Sequence, residues 1–352
     1  MKKWIIILAS LVLFISCILV GMKIFLHPKK LAYDYEQEGL KDQIVLKFGH
    51  VVAENTPKGL AAKKFAELVY KKSDGKIRVE IFPNGMLYSD IEEINALKEN
   101  KIQIIAPSTS KLGTLSSRWG GVLDLPFAFP NYEAIQAGLN GSIGNTLLQS
   151  LEKEHLKGLA YWINGFKQFT SNKGPIRIPK DIKGQTFRIM QSNILKSQFE
   201  QLHAKAIQQP FDITFQSLQS GKIDGEENTL TNIYSKKFYN LQKYLTISNH
   251  GYLGYVVLMN QSFWNAQTDQ TKKILTEAMI ETTEWNEKHA KKMNEEQLKL
   301  IQKKSSIQIH ELTNEEKKQW MIALDPLYDK LEPIIGKDLI REIKNLREKY
   351  SN

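Results

Sequence analysis

Cysteine is almost missing from this 352-residue chain, where Cys17 stands alone. An intrachain disulfide is therefore excluded, and so is any cluster of cysteine metal ligands. The seven histidines are scattered, with no His-Glu-x-x-His pair. Also missing are a Gly-x-Ser-x-Gly nucleophile elbow, a phosphate-cradling Gly-x4-Gly-Lys loop and a Gly-x-Gly-x-x-Gly fingerprint. No nucleophile–base set emerges, so no enzymatic activity and no cofactor are expected. Nor is charge of one sign gathered into a stripe. The net charge of +10 comes from lysines interleaved with acids, as in residues 287–297, EKHAKKMNEEQ. Such mixing describes a solvated surface and not a nucleic-acid footprint. The adjacent carboxylates Glu226 and Glu227 follow an Asp224-Gly225 turn, from which neighbouring side chains are expected to diverge into solvent.

What is present begins with an uninterrupted apolar run, residues 4–22, behind Lys2 and Lys3. It is long enough to span a bilayer, and no small-residue cleavage site follows it. An uncleaved membrane anchor is the first expectation, with cleavage or lipidation at Cys17 as alternatives. Each places the body of the protein outside the cytoplasm. Residues 1–25 are thus read as anchor or signal segment and 26–43 as linker.

The remaining residues, 44–352, are long for one core, so two lobes are expected. IVLKFG from Ile44 reads as a buried strand, and Thr56 can cap a helix with Pro57 at its first position. Ala61, Phe65, Leu68 and Val69 then fall on one face. IRVEIF, a helix over about 90–98 and the strand KIQIIA continue a βαβα order, which implies a mostly parallel sheet covered by helices. ALKENKIQ (96–103) and SLQSGKID (217–224) echo one another about 120 residues apart, as two related α/β lobes would. The blocks LKGLAYWINGFKQFTSN and GYLGYVVLMN read as long strands crossing between lobes. Residues 269–304 lack Gly and Pro and form one long helix. SSIQIHEL adds an edge strand before two terminal amphipathic helices.

The chain is organised around residues 184–228, from GQTFRIMQS to GEEN. Arg188 sits in a short apolar run, where an unpaired guanidinium would be costly. A bound carboxylate matches its planar fork of donors; a structural salt bridge is the alternative. Asn228, just beyond the Asp224-Gly225 turn, can aim its amide into a cleft.

FGHVVAENTPKG, IFPNGMLYSD, IIAPSTSKLG, DLPFAF, YWINGFKQFTSNKGPIRIPKDIKG, FRIMQSNILKSQFEQL, SLQSGKIDGEEN and SNHGYLGYVVLMNQSFW occur in that order. Across about residues 44–275 the chain resembles the solute-binding subunits of TRAP transporters, in the dicarboxylate-binding DctP branch. The resemblance implies a periplasmic-binding-protein-like α/β fold. Two lobes would be joined by a hinge and connecting strands, with the long helix spanning both. Lobe 1 would comprise roughly 44–160 plus part of 253–352, and lobe 2 roughly 161–252 plus C-terminal contributions. It also implies a four-carbon dicarboxylate ligand such as succinate, fumarate or malate, delivered to membrane permease subunits. Presentation of the ligand to a membrane sensor kinase is the alternative.

By resemblance Arg188 holds one substrate carboxylate, Asn228 donates to the ligand, Phe211 lines the pocket and Lys167 meets a second carboxylate. His50 and Ser110 follow the first and third strands, where α/β sheets bind ligands. Either they donate to a carboxylate or they are turn residues, and Asn164 beside Lys167 is read the same way. Two departures bear on the ligand's identity. Asp212-Ile213-Thr214-Phe215 replaces the family's Ser-Glu-Val-Tyr, and Thr229 stands where a proline commonly follows the asparagine.

Overall fold

The structure, a computed structural model, describes residues 43–351 except residue 117. The expected anchor, and the expected linker up to residue 42, lie outside the described residues. Nine strands among the described residues build one sheet: β1 (Ile44–Gly49), β2 (Ile77–Phe82), β3 (Ile104–Ile105), β4 (Leu156–Ser171), β5 (Thr186–Ile189), β6 (Lys205–Gln208), β7 (Gly225–Asn228), β8 (Tyr244–Asn260) and β9 (Gln308–Glu311). Their order is β2-β1-β3-β8-β4-β7-β5-β6, with β9 paired to β8.

β1 runs parallel to β2 and β3, and β5 runs parallel to β6 and β7. These two parallel sets are the central strands of the two lobes. The 16-residue β4 and 17-residue β8 pair antiparallel along their length and join the sets into one sheet. Both strands are buried for most of their length, which is why they read as continuous apolar runs.

Local chemistry explains the ends of the elements. Thr56 Oγ1 accepts from the Gly59 amide, with Pro57 opening helix Pro57–Lys72 as expected. Asn100 (φ 55°) and Gly221 (φ 70°) both take the left-handed conformation in the two echoed segments. Three expectations need correction. The helix expected from about residue 90 begins at Glu93, because Asp90 is held in the cleft by Lys111 and the Phe211 amide. KIQIIA yields only the two-residue β3, its Gln103 side chain accepting from Lys47 N and donating to Asn100. Three helices, not two, close the chain (Asn314–Leu324, Pro326–Ile335 and Lys337–Tyr350), divided by Pro326 and by Gly336 at φ 106°.

The helix Asp269–Lys304 packs on helix Pro57–Lys72 of lobe 1, on β4 and on helix Leu230–Ser235 of lobe 2. At 1.5 Å per residue it is about 54 Å long, enough to back both lobes. It grips β4 at a bulge, where the register slips between Ile163 and Gly165. The Asn286 amide accepts from Ile163 N at 2.6 Å and donates to Ile163 O at 3.1 Å. One turn-pair further on, Asn294 donates to Asn164 O at 2.7 Å. A methyl at Gly165 would sit 2.6 Å from the Asn294 amide nitrogen, so only glycine permits this approach. Asn286→Leu would leave both polar groups of Ile163 buried without that partner. A loss of about 2–4 kcal/mol is expected in chemical denaturation, and unchanged stability would contradict the clamp.

Candidate functional site

Arg188 lies at the carboxyl end of β5, opposite Glu226 of the parallel strand β7. Strand alternation puts Phe187 and Ile189 into the lobe core and turns Arg188 the other way. The guanidinium is 1% exposed, and its Nε and Nη2 both donate to Gln209 O at 3.2 and 3.0 Å. It makes no ion pair among the described residues. Burial, the largest influence, works against its charge, while Asp90, Glu226 and Glu227 favour it at longer range. The charge is therefore buried, kept and unpaired.

A narrow cavity opens beside it, lined from lobe 2 by Arg188, Met190, Phe211, Asn228 and Asn232. Lobe 1 contributes Lys58, Asp90, Glu93, Ser108 and Lys111, and β8 contributes Tyr255. Phe211 presents its ring to the guanidinium at 5.6 Å and donates its amide to Asp90 across the cleft at 3.3 Å. The lobes thus touch over the cavity. Asn228 donates to Glu226 at 3.0 Å and accepts from Asn232 at 2.8 Å, which fixes the amide's orientation.

Arg188, Asn228 and Phe211 line one cavity, and the four other candidates do not line it. Lys167 is 1% exposed and pairs with Glu227 at 2.8 Å; Glu227 also meets His250 Nε2 at 2.8 Å. Burial would raise the Glu227 carboxyl, but Lys167 and His250 outweigh it and hold it at about 2. His50 has no well-formed hydrogen bond on either ring nitrogen, only an approach to the Val52 backbone, and burial, with Lys58 adding to it, lowers it to about 3. Ser110 donates to Asp124 at 2.6 Å. Asn164 bonds Thr229 and Tyr255 at 3.0 and 2.9 Å, and so touches the cavity only through Tyr255.

The expectation that Glu226 and Glu227 point into solvent is overturned. They belong to strand β7, whose period of two sends one to each face, and both are buried. Glu226, facing Asn228 and Thr170, is raised by burial to about 7.

Four charged groups of lobe 1, Lys58, Asp90, Glu93 and Lys111, escaped the sequence reading. Lys58 is wholly buried, donates to Ala106 O at 2.8 Å and lies 3.8 Å over the Tyr255 ring. Burial brings it down to about 7. Lys111 is paired with Asp90. Glu93 is 2% exposed, has no hydrogen bond on either oxygen, and is raised by burial to about 7. One signal was available for Lys58. It shares its helix face with Ala61, Ala62 and Phe65, at spacings of three, four and seven.

Two lobes on a shared sheet, closing over a cavity with a buried unpaired cation, define a solute-binding protein of the two-lobe class. The chain belongs to the DctP family, bacterial extracellular solute-binding protein family 7, whose profile matches residues 48–333. It is 60% identical over 345 residues to the C4-dicarboxylate-binding protein DctB of Bacillus subtilis, covering 97% of this chain and 98% of that one. A TRAP periplasmic solute-binding protein of Sulfurospirillum deleyianum, solved with bound succinate, superposes with a TM-score of 0.84 at 40% identity. The alignment covers 86% of this chain and 99% of that one. A sugar-acid-binding protein of Advenella mimigardefordensis, in complex with galactonate, also gives 0.84, at 34% identity over 88% and 99% of the two chains.

The buried pair behind the cavity makes a stability prediction. Lys167→Met would leave Glu227 with His250 alone, and a loss of about 3–5 kcal/mol is expected in the ligand-free protein. Because Glu227 lies below its unfolded value, its contribution is complete above about pH 4.5 and fades as pH falls toward about 2. The mutant's deficit should therefore be largest near neutrality and shrink in acid. A deficit independent of pH would assign Lys167 another role.

Proposed function

We propose that this protein is the solute receptor of a TRAP-type transporter, binding a C4-dicarboxylate between its lobes and passing it to a membrane permease. The observation that carries the reading is Arg188, a buried guanidinium whose fork meets only a backbone carbonyl. A ligand carboxylate supplies the missing countercharge in matching bidentate geometry. Phe211 covers the guanidinium face and Asn228 offers its amide at the same wall. With Lys111 paired to Asp90, Arg188 and Lys58 are the two cavity cations that meet only backbone carbonyls, one for each carboxylate of a diacid. The relatives named for C4-dicarboxylates and the succinate complex support that choice, and the galactonate complex marks a sugar acid as the competing ligand class.

Lobe closure traps the ligand, the hinge motion such proteins use. With β4 and β8 continuous through both lobes, the bending falls on their bulges at residues 158–160, 163–165 and 167–169.

Arg188→Lys substitutes a point charge for the fork, and Arg188→Ala removes the charge. Succinate affinity should fall by ~3–5 kcal/mol in the alanine variant, a few hundredfold to several thousandfold, with a smaller but severe loss for lysine. Titration calorimetry, run alongside melting of the ligand-free variants, tests this. Earlier melting with near-normal succinate affinity would make Arg188 a structural residue and remove the clamp.

The apolar run at residues 4–22 is proposed to remain as a tether. The mature chain should then begin at or near Met1 and stay with washed membranes. A soluble chain starting after about residue 30, or a lipid on Cys17, would replace the tether with cleavage or lipidation.

A further inference from the structure

Within the cavity the charges are not equally committed. Lys111 is neutralised by Asp90. Arg188 and Lys58 each meet a backbone carbonyl, and Glu93 meets nothing on either oxygen although it is 2% exposed. Resting on the dicarboxylate reading above, we infer that Lys58 and Glu93 form the seat of the ligand's second carboxylate, and that a diacid binds together with about one proton taken from solvent onto Glu93.

The argument is one of charge balance. A diacid brings two negative charges, and one is met by Arg188. The other, placed at Lys58, lies beside the Glu93 carboxylate in the same closed cavity. Two carboxylates sharing a buried site cannot both stay ionised, so one accepts a proton. With Glu93 neutral, Lys58 and Arg188 together match the ligand's charge, and the new Glu93 O–H becomes a donor to the ligand carboxylate. No covalent bond changes; the proton moves from solvent to a Glu93 oxygen and returns on release.

The surrounding groups place this exchange near neutrality. Glu93 faces Lys58 from helix Pro57–Lys72, Lys111 from the 109–114 turn and Asp90 from its own approach loop. Arg188 and Tyr255 close the cavity, and His50, held neutral by burial, adds no charge. Burial is the largest influence on both, and against the pull of the neighbouring charges it leaves Glu93 raised to about 7 and Lys58 lowered to about 7. A dianion raises the proton occupancy of both groups. The complex then holds more protons than the free protein, and affinity falls as pH rises.

Titration calorimetry of the full-length chain with succinate at pH 7.5, in HEPES and in Tris, measures the uptake. The apparent enthalpies should differ by the two buffers' difference in ionisation heat times about one proton. Succinate affinity should weaken by up to about tenfold per pH unit above pH 7. Glu93→Gln, which keeps a neutral donor in place, should cut the buffer difference and weaken the pH dependence, leaving only what Lys58 takes up. Succinate bound with equal enthalpy in both buffers and pH-independent affinity would overturn the inference, as would an unchanged uptake in Glu93→Gln. The wild-type measurement decides even if the variant does not fold. Absence of any heat with C4 diacids would instead remove the dicarboxylate reading itself.

Discussion

A guanidinium buried without a countercharge is the constraint on which this molecule turns. Desolvating Arg188 costs several kcal/mol, and the protein offsets it with only one carbonyl oxygen from Gln209. Everything around it is arranged to tolerate that deficit. β5 holds the side chain from a core strand, Phe211 shields one face, and Asp90, Glu226 and Glu227 supply a diffuse negative field. On the proposed reading, an entering anion supplies the missing countercharge, and that need is what selects the solute.

The buried charges fall into two groups with different work. Lys167, Glu227 and His250 satisfy one another between β4, β7 and β8, where the lobes are joined. Lys111 and Asp90 do the same at the cavity rim and reach across to Phe211. These pairs are internally balanced and hold backbone elements in register. Arg188, Lys58 and Glu93 are unbalanced and face the cavity. All are buried, so the identity of the nearest partner, more than burial or residue type, separates scaffold from site.

Much of this was legible in the chain. Arg188, Asn228 and Phe211 sit at or near the ends of short parallel strands, and motif order alone brings them to one place. The long helix and the crossing strands declare themselves through missing breakers and unbroken apolar runs. Lys167 was misplaced because its partner, Glu227, is sixty residues away and meets it only through the antiparallel register of β4 and β7. Glu226 and Glu227 were misread for a related reason. The Asp-Gly step was taken as a turn carrying both acids outward, whereas β7 starts at that glycine and alternation buries both. Lys58 shows the opposite failure: a lysine on an apolar helix face was a local signal that went unread.

The sharing of β8 between lobes sets the order in which the chain can become a protein. Lobe 1 is begun by β1, β2 and β3, yet the free edge of β3 finds its neighbour only at residues 258–259. About 150 residues, including all of β4 and the parallel strands of lobe 2, must be synthesised before that edge is covered. An uncovered edge offers its backbone groups to any passing strand, and pairings this distant in sequence form slowly. The first lobe therefore stays incomplete until the second has been made. For a chain destined for the far side of a membrane, the sheet's own connectivity delays folding until most of the chain is available.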